Sequence, residues 1–202
     1  IIFADEIYDR LVMDGLTHTS IASLAPDLFV VTFNGLSKSH RVAGFRCGWM
    51  CLSGDKSRVK GYIEGINLLS SMRLCSNVPS QYIIQAALSE SSHTDKLLLP
   101  GGRIYEQREF IHRAINEIEG LSAVKPKAAF YVFPKLDVRK FNITDDMKFA
   151  LDFLREKKVL IVQGTGFNWN APDHFRIVYL PEIDVLQDAT NRLGDFLEGY
   201  QG

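Results

Sequence analysis

The chain has 202 residues, of which 46% are hydrophobic and 23% charged, enough apolar surface to bury a core and too much for a disordered tail or a fibrous repeat. Its 23 Lys and Arg nearly balance 24 Asp and Glu, for a net charge of −1, which leaves no basic field for nucleic acid or an anionic membrane surface. The longest apolar runs, such as residues 28–31 and 159–162, fall far short of the roughly 20 residues that span a bilayer, and three cysteines (Cys47, Cys51, Cys75) without a Cys-x-x-Cys pair indicate a reducing, cytoplasmic compartment with neither a disulfide framework nor a zinc ribbon.

Ile1-Ile2-Phe3-Ala4 is an apolar, β-favouring run that passes directly into Asp5-Glu6. It reads as a strand buried on both faces. With no initiator Met and no basic leader before it, the run is expected of the later part of a longer protein. Ser20 to Leu24 is at most a helical turn, residues 28–33 are a second strand of the fully buried type, and residues 34–43 are a polar loop. Phe45, Cys47, Trp49 and Cys51 alternate with Arg46, Gly48, Met50 and Leu52, which predicts a third strand with Cys47 and Cys51 as core thiols on one face. Asp55 opens a helix to about Arg73. After a break at Ser76-Asn77, Pro79 falls in the first turn of another helix reaching Ser89.

Pro100-Gly101-Gly102 interrupts the chain, and Ile104, Arg108, Ile111, Ile115 and Ile118 then form one stripe of a helix that Gly120 ends. Residues 129–133 read as a strand, Thr144 as the cap of a helix to about Lys157, and residues 159–162 and 175–179 as two further strands. A closing helix carries Val185, Ala189, Leu193 and Phe196 on one face. The whole is α/β, with residues 1–92 forming a sheet and its covering helices and residues 93–202 a smaller α+β module.

The segment from Asn34 to Arg46 leaves a buried strand at its carboxyl end, where open α/β sheets bind ligands. A lysine held there partly desolvated can form a Schiff base, which singles out Lys38. Asp5 and Tyr8 follow the first strand and stand at the same sheet edge. Arg46, at the start of the third strand, suits a dianionic phosphate. Taken singly, each fits an ordinary surface residue. Taken together, the four describe a site for an aromatic aldehyde phosphate. Cys47 and Cys51 lack neighbours at metal-ligand spacing, and the histidines form no cluster, although His40 lies two residues from Lys38.

These segments also carry a resemblance. Asp5-Glu6-Ile7-Tyr8, then Ser37-Lys38 with Gly44-Phe45-Arg46-Cys47-Gly48-Trp49, then Phe175-Arg176-Ile177-Val178 resemble the ordered motifs of the fold-type I pyridoxal-phosphate aminotransferases. Within that superfamily, residues 32–38, 41–46 and 163–169 look most like bacterial alanine (glutamate–pyruvate) transaminases. The resemblance implies the later half of a large cofactor-binding domain, a mostly parallel sheet with helices, followed by a small α+β domain. It makes Lys38 the Schiff-base lysine and general base, and Asp5 the partner of the cofactor's pyridine nitrogen. Tyr8 falls to the phenolic oxygen, Arg46 to the phosphate and Arg176 to the substrate α-carboxylate.

Many relatives place a hydroxyl three residues before the lysine to contact the phosphate, whereas this sequence has Gly35. Ser37, or backbone N–H groups of the turn, would substitute. Gly166-Phe167-Asn168 is expected to be a plain loop, with lining of the substrate entrance as the other possibility. The implied reaction moves an amino group between an amino acid, alanine by preference, and 2-oxoglutarate, in a cytoplasmic homodimer. A β-lyase or decarboxylase on the same scaffold is the leading alternative, and a non-catalytic chain a further one. The 202-residue chain alone is expected to bind pyridoxal phosphate weakly and to be inactive.

Overall fold

The apolar run after Leu28 becomes the central strand of a three-stranded sheet, because Val30 and Val31 lose all exposure to solvent and contribute roughly 2 kcal/mol each by their burial. In a computed structural model, β1 (Ile2–Asp5) lies parallel to β2 (Val30–Gly35), with Ile2 opposite Val30 and Asp5 opposite Phe33. β3 (Gly48–Ser53) runs antiparallel on the other side of β2, Gly35 opposite Gly48 and Val30 opposite Ser53. The structure describes residues 1–89 and 94–202. The boundary expected at residues 92 and 93, and His93 itself, lie outside them. The described chain divides into two units, Ile1–Leu99 and Pro100–Gly202.

In the first unit β1 is an edge strand. Its alternate residues are exposed rather than buried on both faces, and Phe3 stacks on Phe33 at 6.3 Å. Beyond β1, the Glu6 carboxylate accepts from the Ser20 hydroxyl and the Ile21 amide at 3.0 and 2.9 Å, and so supplies the acceptor at the start of the single-turn helix α1 (Ile21–Leu24). Residues 34–43 are not the loop that their polarity predicts. β2 runs on through Gly35, and α2 (Leu36–Ser39) follows at once, with Leu36 fully buried to anchor the turn.

Asp55 does not open the next helix. Its carboxylate instead accepts from the Ser57 amide and hydroxyl in a local turn, and α3 spans Lys60–Arg73. α4 spans Val78–Ser89 with Pro79 in its first turn. Tyr62 of α3 meets Phe3 and Phe29 edge-on at 6.3 and 6.0 Å. α4 is tied behind α2, where the Ala87 carbonyl accepts from His40 Nε2 at 2.8 Å and the Ser80 carbonyl from the buried Cys47 thiol at 3.3 Å. Cys51, expected in the core with Cys47, is exposed because β3 is an edge strand.

The second unit holds α5 (Arg103–Glu117), α6 (Asp146–Lys157) and α7 (Ile183–Gly199). Its sheets are an antiparallel pair, β4 (Leu121–Ser122) with β6 (Lys135–Leu136), and a three-stranded antiparallel sheet. In the latter, β8 (Phe175–Val178) lies between β5 (Tyr131–Val132) and β7 (Val162–Gln163). The cap of α6 is Asp145, not Thr144: its carboxylate accepts from the Met147 and Lys148 amides. The strand expected at residues 159–162 shortens to Val162–Gln163. The buried stripe of α7 runs through Leu186, Thr190, Leu193, Phe196 and Leu197, so Leu193 and Phe196 face the core as expected, whereas Val185 is exposed and Leu186 takes its place. Phe149 sits at the centre, 5.8 Å from Phe175 and 5.9 Å from Phe196. No helix among the described residues is long and apolar enough to cross a membrane.

Candidate active site

Parallel pairing of β1 with β2 puts their carboxyl ends side by side, and the antiparallel β3 starts at that same edge. Asp5 ends β1, Lys38 is the third residue of α2 immediately after β2, and Arg46 lies two residues before β3 begins opposite Gly35. The register therefore gathers Asp5, Tyr8, Ser37, Lys38 and Arg46 at one end of one sheet. Lys38, Ser37 and Tyr8 are half-buried, whereas Asp5 and Arg46 are exposed.

Arg46 does not begin the third strand, as its alternation with Cys47 and Gly48 predicts. A 3₁₀ turn at Ala43–Phe45 intervenes, and Arg46 follows it in the left-handed conformation with φ 52° and ψ 49°. Its Nη1 donates to the Ala43 carbonyl at 2.8 Å, which leaves the rest of the guanidinium for an anion. The Asp5 carboxylate accepts from the Ile7 amide at 3.2 Å. Among the described residues neither Asp5 nor Arg46 has an ion-pair partner. An exposed carboxylate and an exposed guanidinium at one sheet edge, with a half-buried amine beside them, make a donor set that fits a ring with a basic nitrogen at one end and a phosphate at the other.

Gly35 departs from the hydroxyl expected three residues before Lys38 for a geometric reason. A Cβ there would stand 2.8 Å from the Cys47 carbonyl oxygen and 3.0 Å from the Gly48 Cα, so β2 and β3 close on each other only with glycine at this point. Ser37 remains the hydroxyl available in the turn. Two residues that sequence reasoning missed brace the edge. Asn34 Nδ2 donates to the Asp9 carboxylate at 2.9 Å, and Asn34 Oδ1 accepts from the Gly35 amide at 2.7 Å, so the chain after β1 is tied to the end of β2. An Asn at a strand end is the one signal that could have pointed to this.

In the second unit, Arg176 is on the central strand β8 rather than on an edge, opposite Val162. Its guanidinium lies over the Tyr131 ring at 4.4 Å and the Phe167 ring at 4.2 Å, and no carboxylate among the described residues pairs with it. Tyr131 reaches it because it lies opposite Val178, two residues along the same face. Gly166-Phe167-Asn168 is not a plain loop: Gly164–Phe167 forms a 3₁₀ turn and Asn168 closes it in the left-handed conformation. His40 and His174 take structural partners. His40 donates to the Ala87 carbonyl, and His174 Nδ1 meets the Asp173 carboxylate at 2.7 Å.

The chain is similar to known aminotransferases over nearly its whole length. The family model for aminotransferase class I and II matches residues 1–193. Over 200 residues the chain is 57% identical to the glutamate-pyruvate aminotransferase AlaA of Escherichia coli, covering 99% of this chain and 49% of that protein. It is 51% identical over 201 residues to an alanine aminotransferase of Mycobacterium tuberculosis, covering 100% of this chain and 47% of the relative. An aminotransferase crystal structure from Escherichia coli superposes with a TM-score of 0.96 at 56% identity, over 100% of this chain and 50% of that one. The alanine aminotransferase of Pyrococcus furiosus gives 0.82 at 36% identity, over 97% and 49%. The chain spans about half the length of the curated relatives it matches. It has the fold-type I α/β architecture and belongs to the aminotransferase class I and II family.

Proposed function

We propose that the full-length protein is a pyridoxal-phosphate aminotransferase that moves an amino group between alanine and 2-oxoglutarate, with residues of the first unit holding the cofactor. The observation that carries this reading is the single sheet edge to which Asp5, Lys38 and Arg46 are brought, with neither Asp5 nor Arg46 in an ion pair among the described residues. Pyridoxal phosphate, when bound, supplies an aldehyde for amines and a protonated ring that takes up the electron pair released at a substrate Cα.

The chain's residues divide the remaining work. Asp5 would hold the proton on the ring nitrogen, Tyr8 would donate to the phenolic oxygen, and Arg46 with Ser37 would bind the phosphate. Lys38 would take the proton from the substrate Cα and hand it to the carbon that carried the cofactor's aldehyde. Arg176 would receive the substrate α-carboxylate through paired N–H donors, which fixes the direction of the Cα–H bond and turns an encounter into an oriented step. The two relatives' names, both alanine transaminases, support alanine as donor over lyase or decarboxylase chemistry. We extend the reading to a cytoplasmic homodimer, and to weak cofactor binding and no activity for the 202-residue chain alone.

Absorbance titration of the full-length protein with pyridoxal phosphate tests this. The expected results are a Lys38-dependent band, its loss on adding L-alanine, and release of pyruvate. Lys38→Ala should abolish the band and lower kcat by at least about 10²- to 10⁴-fold. An unchanged signal in that variant, or alanine consumed without pyruvate, would overturn the assignment.

A further inference from the structure

The guanidinium of Arg176 is held by aromatic rings and, among the described residues, by no acid. Both ring centres lie within 4.4 Å of its central carbon, well inside the distance at which a ring face attracts a cation. Its Nε is buried without a hydrogen-bond partner, so the group carries an unmet donor that an arriving carboxylate could satisfy. A free arginine side chain loses considerable rotamer entropy when it is fixed. Holding the guanidinium over ring faces removes much of that freedom before any ligand arrives, and uses none of its N–H donors.

The ring of Phe167 is itself well placed. The 3₁₀ turn that carries it is anchored by Asp146, a buried carboxylate that accepts from both the amide and the hydroxyl of Thr165 at 2.9 and 2.8 Å. The Gly164 amide donates to the His174 carbonyl at 2.8 Å, and a Cβ at Gly164 would stand 2.7 Å from that oxygen. Behind Phe167, Phe133 meets it edge-on at 6.4 Å and stacks on His174 at 4.9 Å. An exposed aromatic side chain with this much support on one side, and a cation over its face, is doing more than filling space.

We infer that Phe167 and Tyr131 are positioning residues that hold the Arg176 guanidinium ready for a substrate carboxylate, an inference that rests on the reading of Arg176 given above. No polar atom of Phe167 takes part, so its contribution is to carboxylate affinity rather than to proton transfer. Phe167 is 43% exposed, and replacing it with leucine leaves no void in the core.

Full-length holoenzyme carrying Phe167→Leu should show KM values for L-alanine and 2-oxoglutarate raised about 2- to 30-fold, the range that a cation–ring contact supports, with kcat within about twofold. Propionate, which has the carboxylate but no amino group to transfer, should bind more weakly by the same factor in titration calorimetry, while pyridoxal phosphate affinity stays unchanged. Phe167→Tyr should restore both values, and Tyr131→Leu should reproduce the loss where Tyr131→Phe does not. Arg176→Lys is the reference variant. If it leaves propionate affinity intact, the reading of Arg176 fails and this inference falls with it. If Arg176→Lys weakens propionate binding and Phe167→Leu does not, or if Phe167→Leu lowers cofactor affinity equally, the positioning role is overturned and the site reading stands.

Discussion

The two units bury their helices to very different degrees. In the second unit, α5, α6 and α7 each sink an apolar stripe, and Phe149, Phe175, Ile115 and Leu193 are almost wholly out of solvent. In the first unit, Ser80 is the one buried residue described in α3 and α4, and Leu68, Leu69, Met72, Leu74 and Tyr82 all remain largely exposed. One unit thus contains its own core. In the other, much apolar helical surface stays exposed among the described residues, and its packing concentrates on β2 and the turn that carries Lys38. The residues proposed to hold the cofactor stand on the unit whose helices are less buried, and Arg176, the proposed carboxylate receiver, on the other.

That contrast can be broken by paired truncations, measured by urea unfolding of the 202-residue chain. Phe149→Ala, at a fully buried position, should cost about 3–5 kcal/mol. Met72→Ser, at a position 77% exposed, should change stability by no more than about 0.5 kcal/mol. Equal costs at the two positions would mean that α3 is packed as tightly as α6. A smaller effect should come from the sheet edge. Gly35→Ser supplies the hydroxyl that the family resemblance leads one to expect but sets a Cβ 2.8 Å from the Cys47 carbonyl, an overpacking expected to cost about 1–3 kcal/mol. Gly35→Ala should cost as much, because the Cβ and not the hydroxyl makes the clash. A serine variant as stable as the parent would show that β2 and β3 can separate there.

How much of this was readable in the sequence depended on the range of the interaction responsible. Continuous apolar runs announced β1 and β2, and period and end signals announced α4 and α5, because burial of whole stripes is a property of consecutive residues. The Asp5, Tyr8 and Lys38 placements followed from strand ends. Errors arose where local alternatives were nearly equal in energy. Thr144 and Asp145 are adjacent capping residues, and the acid won. Leu186 and Val185 differ by one position on a helical face. Phe45, Cys47 and Trp49 alternate as a strand would, yet Ala43–Phe45 closes into a turn that displaces Arg46. The supports of the site were the least readable. The Asn34–Asp9 bridge and the rings of Tyr131 and Phe167 on Arg176 join residues brought together only by folding, and apart from an Asn at a strand end nothing local marks them.

The smallest effect expected concerns acid, and it compares a carboxylate staple in each unit. Glu6 ties Ser20, Ile21 and His18 to the end of β1. Asp173 gathers the Trp169 indole at 2.8 Å and the His174 imidazole at 2.7 Å. Burial raises the pKa of each, but in Glu6 the Ile21 amide, His18 and Ser20 outweigh it, and in Asp173 His174, Trp169 and Lys135 do. Both carboxyls end below their ordinary values of 4.5 and 3.8. A carboxyl whose folded pKa is depressed contributes stability above its unfolded pKa and loses it as pH falls through the folded one. Glu6 should therefore begin to lose its contribution as pH drops below about 4.5, ahead of Asp173. Unfolding midpoints taken from pH 6 downward should show Glu6→Gln less stable than the parent at the upper end, with the two curves converging toward the acid end. Parallel curves would remove Glu6 as an acid-sensitive tie of the first unit.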